Sequence, residues 1–136
     1  MNNVEQTLSI IKPDAVERNL IEQIKEIFTK NNLKIKDSKK IHLTKEEAAE
    51  FYKVHQSKPF YDQLCSYLSS GPIFAMILEG ENAVLKNRKI MGATNPKEAE
   101  PNSIRKLYGI SIDKNSVHGS DSTDNAQKEI NFFFKD

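Results

Sequence analysis

Hydrophobic and polar positions alternate along several short stretches of the chain, and the period of this alternation predicts the strands. Between positions 33 and 43 the apolar residues keep odd positions and the even ones are polar, which is typical of a half-buried strand with a basic exposed face. Residues 7–12 alternate in the same way and predict a first strand, which Pro13 ends. The run at 73–78 is apolar throughout and predicts a central, covered strand, and a short strand is expected near Val117.

Other stretches repeat their apolar residues with the period of a helix. The first such stripe consists of Leu20, Ile24, Ile27 and Phe28. Asn31-Asn32 closes this helix. Thr44 and Glu47 have the spacing of a capping box, in which a hydroxyl and a carboxylate satisfy backbone N–H groups at a helix start. We expect this second helix to run to about His55.

Three further helices are predicted after position 59, together with a short helical turn around 104–107. One begins after Pro59, one covers residues 81–91 with Gly92 as its left-handed C-terminal residue, and the last begins near Ser122. Residues 93–101 are expected to form a long loop, and loops of this length in small domains are usually functional or disordered. The order of elements predicts an α+β sandwich in which helices cover one side of a small, mostly antiparallel sheet.

Length, charge balance and cysteine count limit the classes of protein to which this chain can belong. A chain of 136 residues suits a single domain spanning 1–136, and the near balance of 20 Lys plus Arg against 19 Asp plus Glu gives no reason to expect a primary nucleic-acid role or a membrane surface as partner. No signal peptide is recognisable, and no apolar run is long enough to cross a bilayer. The single cysteine, Cys65, excludes an internal disulfide. We therefore expect a cytoplasmic protein with a buried thiol.

Candidate chemistry centres on histidine, because no glycine-rich phosphate loop of a known pattern is present. His42 is expected on the solvated face of a strand, and His55 at a helix end. His118 differs, because Gly119 clears space beside its ring, Ser120 is a hydrogen-bond donor, and a nearby carboxylate could fix its tautomer. Spacing alone leaves a catalytic histidine and a hydrogen-bonded turn histidine equally open.

The segment Asn115-Ser116-Val117-His118-Gly119-Ser120-Asp121 resembles the active-site signature of the nucleoside diphosphate kinases. The resemblance extends over nearly the whole chain. The matching blocks are Lys12-Pro13-Asp14, Pro59-Phe60, Ser70-Gly71-Pro72, Glu79-Gly80-Glu81-Asn82-Ala83, Met91-Gly92-Ala93-Thr94-Asn95-Pro96 and Ile104-Arg105. Blocks in the same order are far more specific than a single motif.

This resemblance implies a ferredoxin-like α/β sandwich and a reversible ping-pong reaction. ATP or another nucleoside triphosphate would phosphorylate His118, and a nucleoside diphosphate would take the group. By matching position, the catalytic and phosphate-binding set would be Lys12, Tyr52, Arg88, Thr94, Arg105, Asn115, His118, Ser120 and Glu129. Phe60 and Ile112 would sandwich the base, with Leu64 nearby, so base specificity would be broad.

These residue types suit the implied chemistry. A neutral imidazole is a good nucleophile near pH 7. Lys12, Arg88 and Arg105 would surround the transferring phosphoryl group with positive charge, together with Mg²⁺ bound mainly through the nucleotide phosphates. Both arginines could reach one phosphate only if the loop at 93–108 folds back over the groove. Glu129 would accept a hydrogen bond from the ring nitrogen that does not attack.

The resemblance also implies an oligomeric state. Family members form hexamers or tetramers, so we expect a homo-oligomer, although Leu107 stands where the family typically has an acid in a segment near subunit contacts. The residues leave two other interpretations open. One is a module that binds nucleotide or single-stranded nucleic acid without catalysis. The other is a scaffold that only oligomerises, which would leave the clustered polar residues unexplained.

Overall fold

The computed structural model describes residues 4–53, 56–59, 61–110 and 116–134. These residues form four strands and seven α-helices. In chain order they are β1 (Val4–Ile11), α1 (Pro13–Glu17), α2 (Ile21–Lys30), β2 (Lys34–Ile41), α3 (Lys45–Phe51), α4 (Tyr61–Leu68), β3 (Ile73–Glu81), α5 (Ala83–Met91), α6 (Ile104–Tyr108), β4 (Val117–Gly119) and α7 (Thr123–Phe134). Among these helices none is long and apolar enough to cross a membrane.

The strands form one sheet with the order β2-β3-β1-β4. Each neighbouring pair in this sheet is antiparallel. Strand β1 pairs with β3 over its whole length and with β4 through three residue pairs, one of which places His118 opposite Ile10. The pairing of β2 with β3 shifts register between Ile35 and Asp37. The expected inner position of β3 is confirmed.

Helices cover both faces of the sheet, so the expectation that they cover one side was wrong. On one face, Ile73, Ala75 and Ile77 of β3 pack in a core with side chains of α3, α4 and α7. On the other face, Met76 and Leu78 pack with side chains of α1, α2, α5 and α6. The physical reason is the continuous apolar run of β3, because a strand with apolar side chains in both directions must be buried on both faces.

Several local predictions are confirmed at the ends of helices. The Thr44 hydroxyl accepts from the Glu47 backbone N–H at 3.1 Å, and the Thr44 backbone N–H donates to the Glu47 carboxylate at 2.9 Å, so the capping box begins α3. Gly92 ends α5 with a φ of 84°, a conformation that glycine adopts without strain. Helix α3 ends at Phe51, earlier than expected, and His55 lies outside the described residues.

Helix α1 was not predicted. Pro13 ends β1 as expected, but it also occupies the first turn of this five-residue helix, where its missing N–H costs nothing. The helix follows Lys12 directly and buries Asp14. Its position therefore brings the Lys12-Pro13-Asp14 block to the end of β1, one of the two inner strands of the sheet.

Candidate active site

His118 is the middle residue of β4, and its side chain projects toward α3 and α7. Its partner across the sheet, Ile10, belongs to the core on that face, and residues opposite each other in a sheet share a face. The imidazole is 21% exposed, so solvent and a ligand can reach it. The edge strand thus presents the ring at the surface while the backbone stays in the sheet.

A single carboxylate oxygen orients the ring. His118 Nε2 lies 3.0 Å from Glu129 Oε1, and the Ser120 hydroxyl donates to the same oxygen at 2.8 Å. Because a carboxylate accepts hydrogen bonds, this geometry assigns the proton to Nε2 and the lone pair to Nδ1 in the neutral ring. Nδ1 is therefore the nitrogen equipped to act as a nucleophile.

Two aromatic side chains at the end of α3 form a wall beside the imidazole. The Phe51 and His118 ring centroids are 5.4 Å apart in an edge-to-face arrangement, and Tyr52 lies at 6.4 Å in a similar orientation. Burial raises the pKa of the Tyr52 hydroxyl, and the charge of Glu129 raises it further. Tyr52 therefore keeps its proton at neutral pH.

Arg105 lies on α6 and is buried. Its Nη1 donates to the Gly92 carbonyl at 3.0 Å and its Nη2 to the Val117 carbonyl at 2.9 Å. Burial, followed by the nearby charge of Arg88, lowers the pKa of Arg105 to about 10. That value is far above neutrality, so Arg105 carries its charge at pH 7 beside the strand that holds His118.

Arg88, Thr94 and Arg105 line one open groove of about 390 Å³. Arg88 lies on α5 and is exposed, whereas Thr94 follows Gly92 in the loop after that helix. The loop at 93–108 therefore folds back and brings the two arginines to the same groove. The Val117 carbonyl that Arg105 binds precedes His118 directly, whereas the His118 side chain lines a neighbouring pocket with Phe51, Glu129 and Phe132.

Lys12 and Leu64 are the remaining described members of the expected set, and His42 is the histidine that was expected at the surface. Lys12 is 6% exposed and its backbone N–H donates to the Ser116 carbonyl at 2.8 Å. Leu64 lies on α4 and packs against the core that contains Tyr52. His42 is exposed, as expected, and its Nε2 lies 2.8 Å from the Ser69 carbonyl.

Three expected site residues, Phe60, Ile112 and Asn115, lie outside the described residues. Within the described ranges, no group of three or more His, Cys, Asp or Glu side chains could hold a metal ion. The polar side chains that line the groove are instead those of Arg88, Lys89, Thr94, Glu100 and Arg105. Guanidinium groups suit phosphate oxygens.

Sequence reasoning missed one neighbour of His118, Phe51, and gave another, Gly119, the wrong role. Phe51 carries no signal beyond its place beside Tyr52. Gly119 was expected to clear space for the ring, but a Cβ there would collide with Nδ2 of Asn87 and lie 2.7 Å from the end of Met91, on the opposite face of β4. Gly119 therefore lets α5 approach the strand, and only a three-dimensional contact reveals this role.

An oriented imidazole, on a strand whose preceding carbonyl binds a buried arginine of a cationic groove, is typical of enzymes that transfer an anionic group through a covalent histidine adduct. Comparison with known proteins specifies the class. The family model for nucleoside diphosphate kinase matches residues 5–136, and the chain belongs to this family.

Relatives with this name match nearly the whole chain. A nucleoside diphosphate kinase of a Nitratiruptor species is 58% identical over 96% of each chain, and one of Nitrosococcus oceani is 54% identical over 97% of this chain and 92% of the relative. The structure of the Aquifex aeolicus nucleoside diphosphate kinase superposes with a TM-score of 0.95 at 44% identity, covering 97% of this chain and 96% of that one. The expected ferredoxin-like fold is confirmed. The chain is a phosphotransferase that moves the γ-phosphoryl group of a nucleoside triphosphate to a nucleoside diphosphate through a phosphorylated histidine.

Proposed function

We propose that His118 is the nucleophile of this reaction and that Nδ1 is the attacking atom. The observation that carries this assignment is the hydrogen bond of Nε2 to Glu129, which leaves the Nδ1 electron pair for the phosphorus. In the first half-reaction, the Nδ1–P bond forms as the bond from the γ-phosphorus to the bridging oxygen breaks, and the diphosphate leaves. In the second half-reaction, a terminal oxygen of another diphosphate takes the group and restores the imidazole.

Glu129 would stabilise the phosphorylated ring. Phosphorylation draws electrons from the imidazole, so the Nε2–H becomes a stronger donor and its bond to the carboxylate strengthens as the reaction proceeds. The Ser120 hydroxyl donates to the same oxygen and keeps it in position. These contacts act on the ring, so Glu129 and Ser120 would affect the rate of transfer more than they affect the binding of the nucleotide.

The phosphate groups would lie along the cationic groove. Arg88 and Arg105 line it, and Thr94 adds a hydroxyl. Arg105 is held by two carbonyls, so its charge is already in place before the nucleotide arrives. Lys12, next to the strand that carries His118, would complete the positive field, and Tyr52 would donate its hydroxyl.

We further propose that Mg²⁺ is the divalent ion of the reaction. The groove has guanidinium groups, which do not bind Mg²⁺, so the nucleotide phosphates would provide most of its oxygen ligands. The ion would neutralise phosphate charge during transfer.

The base site and the assembly are also proposals. Phe60 and Ile112, with Leu64 nearby, would contact the base through a ring face and apolar surface, and Asn115 would bind the sugar or phosphate. Such contacts lack hydrogen-bond readout of the base, so ATP, GTP and pyrimidine nucleotides would all be substrates. We also infer that residues 1–136 form one domain in a hexamer or tetramer. The buried free thiol of Cys65 favours the cytoplasm as its location.

Replacement of His118 tests the proposed nucleophile. His118→Ala should lower transfer from ATP to a second diphosphate by more than about a hundredfold, because the covalent route is lost. His42→Ala is the matched control, since it removes an exposed imidazole from the same protein, and it should stay within about threefold of the wild type. A His118→Ala variant that keeps more than about a hundredth of the rate would contradict the assignment.

Chemical lability identifies the adduct. Incubation of the wild type with ATP labelled at the γ-phosphate should give a labelled protein whose label is lost in acid and kept in base, as expected of a phosphoramidate. His118→Ala should remain unlabelled and His42→Ala should be labelled normally. A label that survives acid would point to another acceptor and exclude phosphohistidine.

A further inference from the structure

A second polar cluster lies at the start of α1 and is separate from the histidine and its carboxylate. Its centre is Asp14, whose side chain is only 4% exposed. Tyr67 of α4 donates its hydroxyl to Asp14 Oδ1, and the Asp14 backbone N–H donates back to that hydroxyl at 3.1 Å. The other oxygen, Oδ2, accepts from the Ser116 hydroxyl at 2.8 Å and from Arg18 Nη2 at 3.0 Å.

A buried carboxylate is costly unless its oxygens are hydrogen-bonded and its charge is paired. Asp14 meets both conditions, because two hydroxyl groups and one guanidinium surround it. Burial, followed by the hydrogen bond to Asp14, raises the pKa of Tyr67, so its hydroxyl stays a donor at neutral pH. The cluster is a fully engaged network, and such networks hold their members in one arrangement.

The network joins two segments that are distant in sequence. Asp14 is two residues after Lys12, and Ser116 is two residues before His118, while 102 positions separate Asp14 from Ser116. A second bond connects the same segments, because the Lys12 backbone N–H donates to the Ser116 carbonyl at 2.8 Å. The side chain of Asp14 thus reinforces a main-chain contact between the expected phosphate-binding lysine and the strand of the histidine.

Ser116 also has an unusual backbone. Its φ is 75°, in the left-handed region that residues other than glycine rarely adopt, and it is completely buried. A conformation of this kind costs free energy and persists only where the surroundings hold it. The Ser116 hydroxyl contacts Asp14, Arg18 and the Tyr108 carbonyl, and Arg18 Nη2 also donates to that carbonyl at 2.6 Å. These contacts hold the backbone where the chain turns into β4.

We propose that Asp14 is a positioning residue for phosphoryl transfer: it holds Ser116 in its left-handed conformation and so sets the distance between Lys12 and His118. This proposal rests on the proposed function of those two residues. Asp14 itself faces Tyr67, Arg18 and Ser116 and does not need to touch the nucleotide. Its effect on the reaction would pass through the backbone of Ser116.

The first test is Asp14→Asn, which keeps the size of the side chain and removes its charge. An amide has one acceptor oxygen in place of two and no charge, so the bonds from Tyr67, Arg18 and Ser116 cannot all be kept and the hold on Ser116 weakens. We expect kcat to fall about 10- to 100-fold, since small displacements of reacting groups have effects of this size, while KM stays within about threefold. Asp62→Asn is the matched control, because it makes the same change at an exposed aspartate paired only with Lys45 in the described contacts, and it should keep the wild-type kcat.

A double-mutant cycle separates positioning from general destabilisation. If Asp14 acts through Lys12, then Asp14→Asn should cost less than about threefold in a Lys12→Ala background and its full 10- to 100-fold in an Arg88→Ala background. Equal losses in both backgrounds would overturn the proposal, because a merely structural aspartate would weaken every variant alike.

A second pair of variants covers the case in which Asp14→Asn does not fold. Tyr67→Phe and Tyr61→Phe each remove one hydroxyl from α4, but only the Tyr67 hydroxyl binds Asp14, whereas Tyr61 donates to the Ala49 carbonyl at 2.9 Å. Tyr67→Phe should lower kcat at least about fivefold relative to Tyr61→Phe, and equal values would overturn the proposal.

These variants are measured against a wild type that has been shown to form phosphohistidine at His118. Absence of that adduct would overturn the proposed function. A wild type that forms the adduct, together with an Asp14→Asn variant of unchanged kcat, would overturn only the positioning role of Asp14.

Discussion

Arg88 and Arg105 face the same groove, yet their surroundings make them different residues. Arg88 is exposed on α5, so it is free to adjust to a phosphate. Arg105 is 9% exposed and already binds the Gly92 and Val117 carbonyls. One guanidinium therefore serves both the groove and the attachment of α6 to β4, whereas the other serves the groove alone.

Alanine variants should separate these roles. Arg105→Ala should lower the free energy of unfolding by about 2–4 kcal/mol, because two buried carbonyls lose a charged donor, and it should also lower turnover. Arg88→Ala should lower turnover while the free energy of unfolding changes by less than about 0.5 kcal/mol. Urea denaturation and steady-state transfer rates, measured on the same preparations, check both. Equal stability of the two variants would show that the carbonyl contacts of Arg105 contribute little.

One carboxylate oxygen of Glu129 contacts both His118 and Ser120 in this site. Its Oε1 accepts from Ser120 and faces Nε2 of His118, so a single oxygen determines the tautomer of the nucleophile and is itself held in place. Carboxylate–histidine pairs of this kind orient the ring and stabilise the charge that develops on it. The reactivity of His118 is thus a property of its partners on α7 as well as of the imidazole.

At the scale of elements, α3 shows how a local feature of the sequence, the capping box at its start, affects the side chains beside His118. The helix begins with the Thr44–Glu47 capping box and ends at Phe51, and Phe51 and Tyr52 form the aromatic wall beside His118. A helix of seven residues has little stability of its own, so its cap and its packing must hold it in place. The capping box at the start of α3 therefore helps to hold Phe51 and Tyr52, at the other end of the helix, beside His118.

Thr44→Ala should lower the free energy of unfolding by about 1 kcal/mol, because the backbone N–H of Glu47 loses its acceptor. Thr29→Ala is the matched control: this exposed threonine of α2 donates only to the Glu26 carbonyl in the described contacts, and its loss leaves no N–H without a partner. We expect the control to change stability by less than about 0.5 kcal/mol. Thermal and urea denaturation measure the difference, and an equal effect of both substitutions would exclude the capping contribution.

At the scale of the whole molecule, the proposed role of Mg²⁺ implies that catalysis requires the ion and that folding of the nucleotide-free protein does not. Within the described residues no cluster of His, Cys, Asp or Glu side chains could hold a metal, and the groove residues suit phosphate. A metal held through the nucleotide stabilises the folded protein only when nucleotide is present, because binding to the native state is what raises stability.

Chelation tests this separation. Excess EDTA should abolish phosphoryl transfer, and added Mg²⁺ should restore it, while the Tm of the nucleotide-free protein stays the same with and without EDTA. Transfer assays and thermal denaturation are the measurements. A Tm that falls on chelation would reveal a metal bound by the protein itself.

Local patterns in the sequence determined most elements of this protein and their ends. The strand periods, the capping box at Thr44 and the glycine at the end of α5 each depend on residues a few positions apart, so they are legible before the chain is folded. The family signature around His118 belongs to the same kind of information, because it is a contiguous run of residues. From this signature, together with the other matching blocks along the chain, followed the expected set of site residues, including His118 and Glu129.

Tertiary structure decided what depends on residues far apart. Which helices pack on each face of the sheet, the binding of Arg105 to main-chain carbonyls and the contact of Phe51 with His118 have no local signal. The same holds for the bond of Asp14 to Ser116, which spans 102 positions. Such contacts form because a compact chain must find a partner for each buried polar group, and only the folded arrangement determines which partner is near.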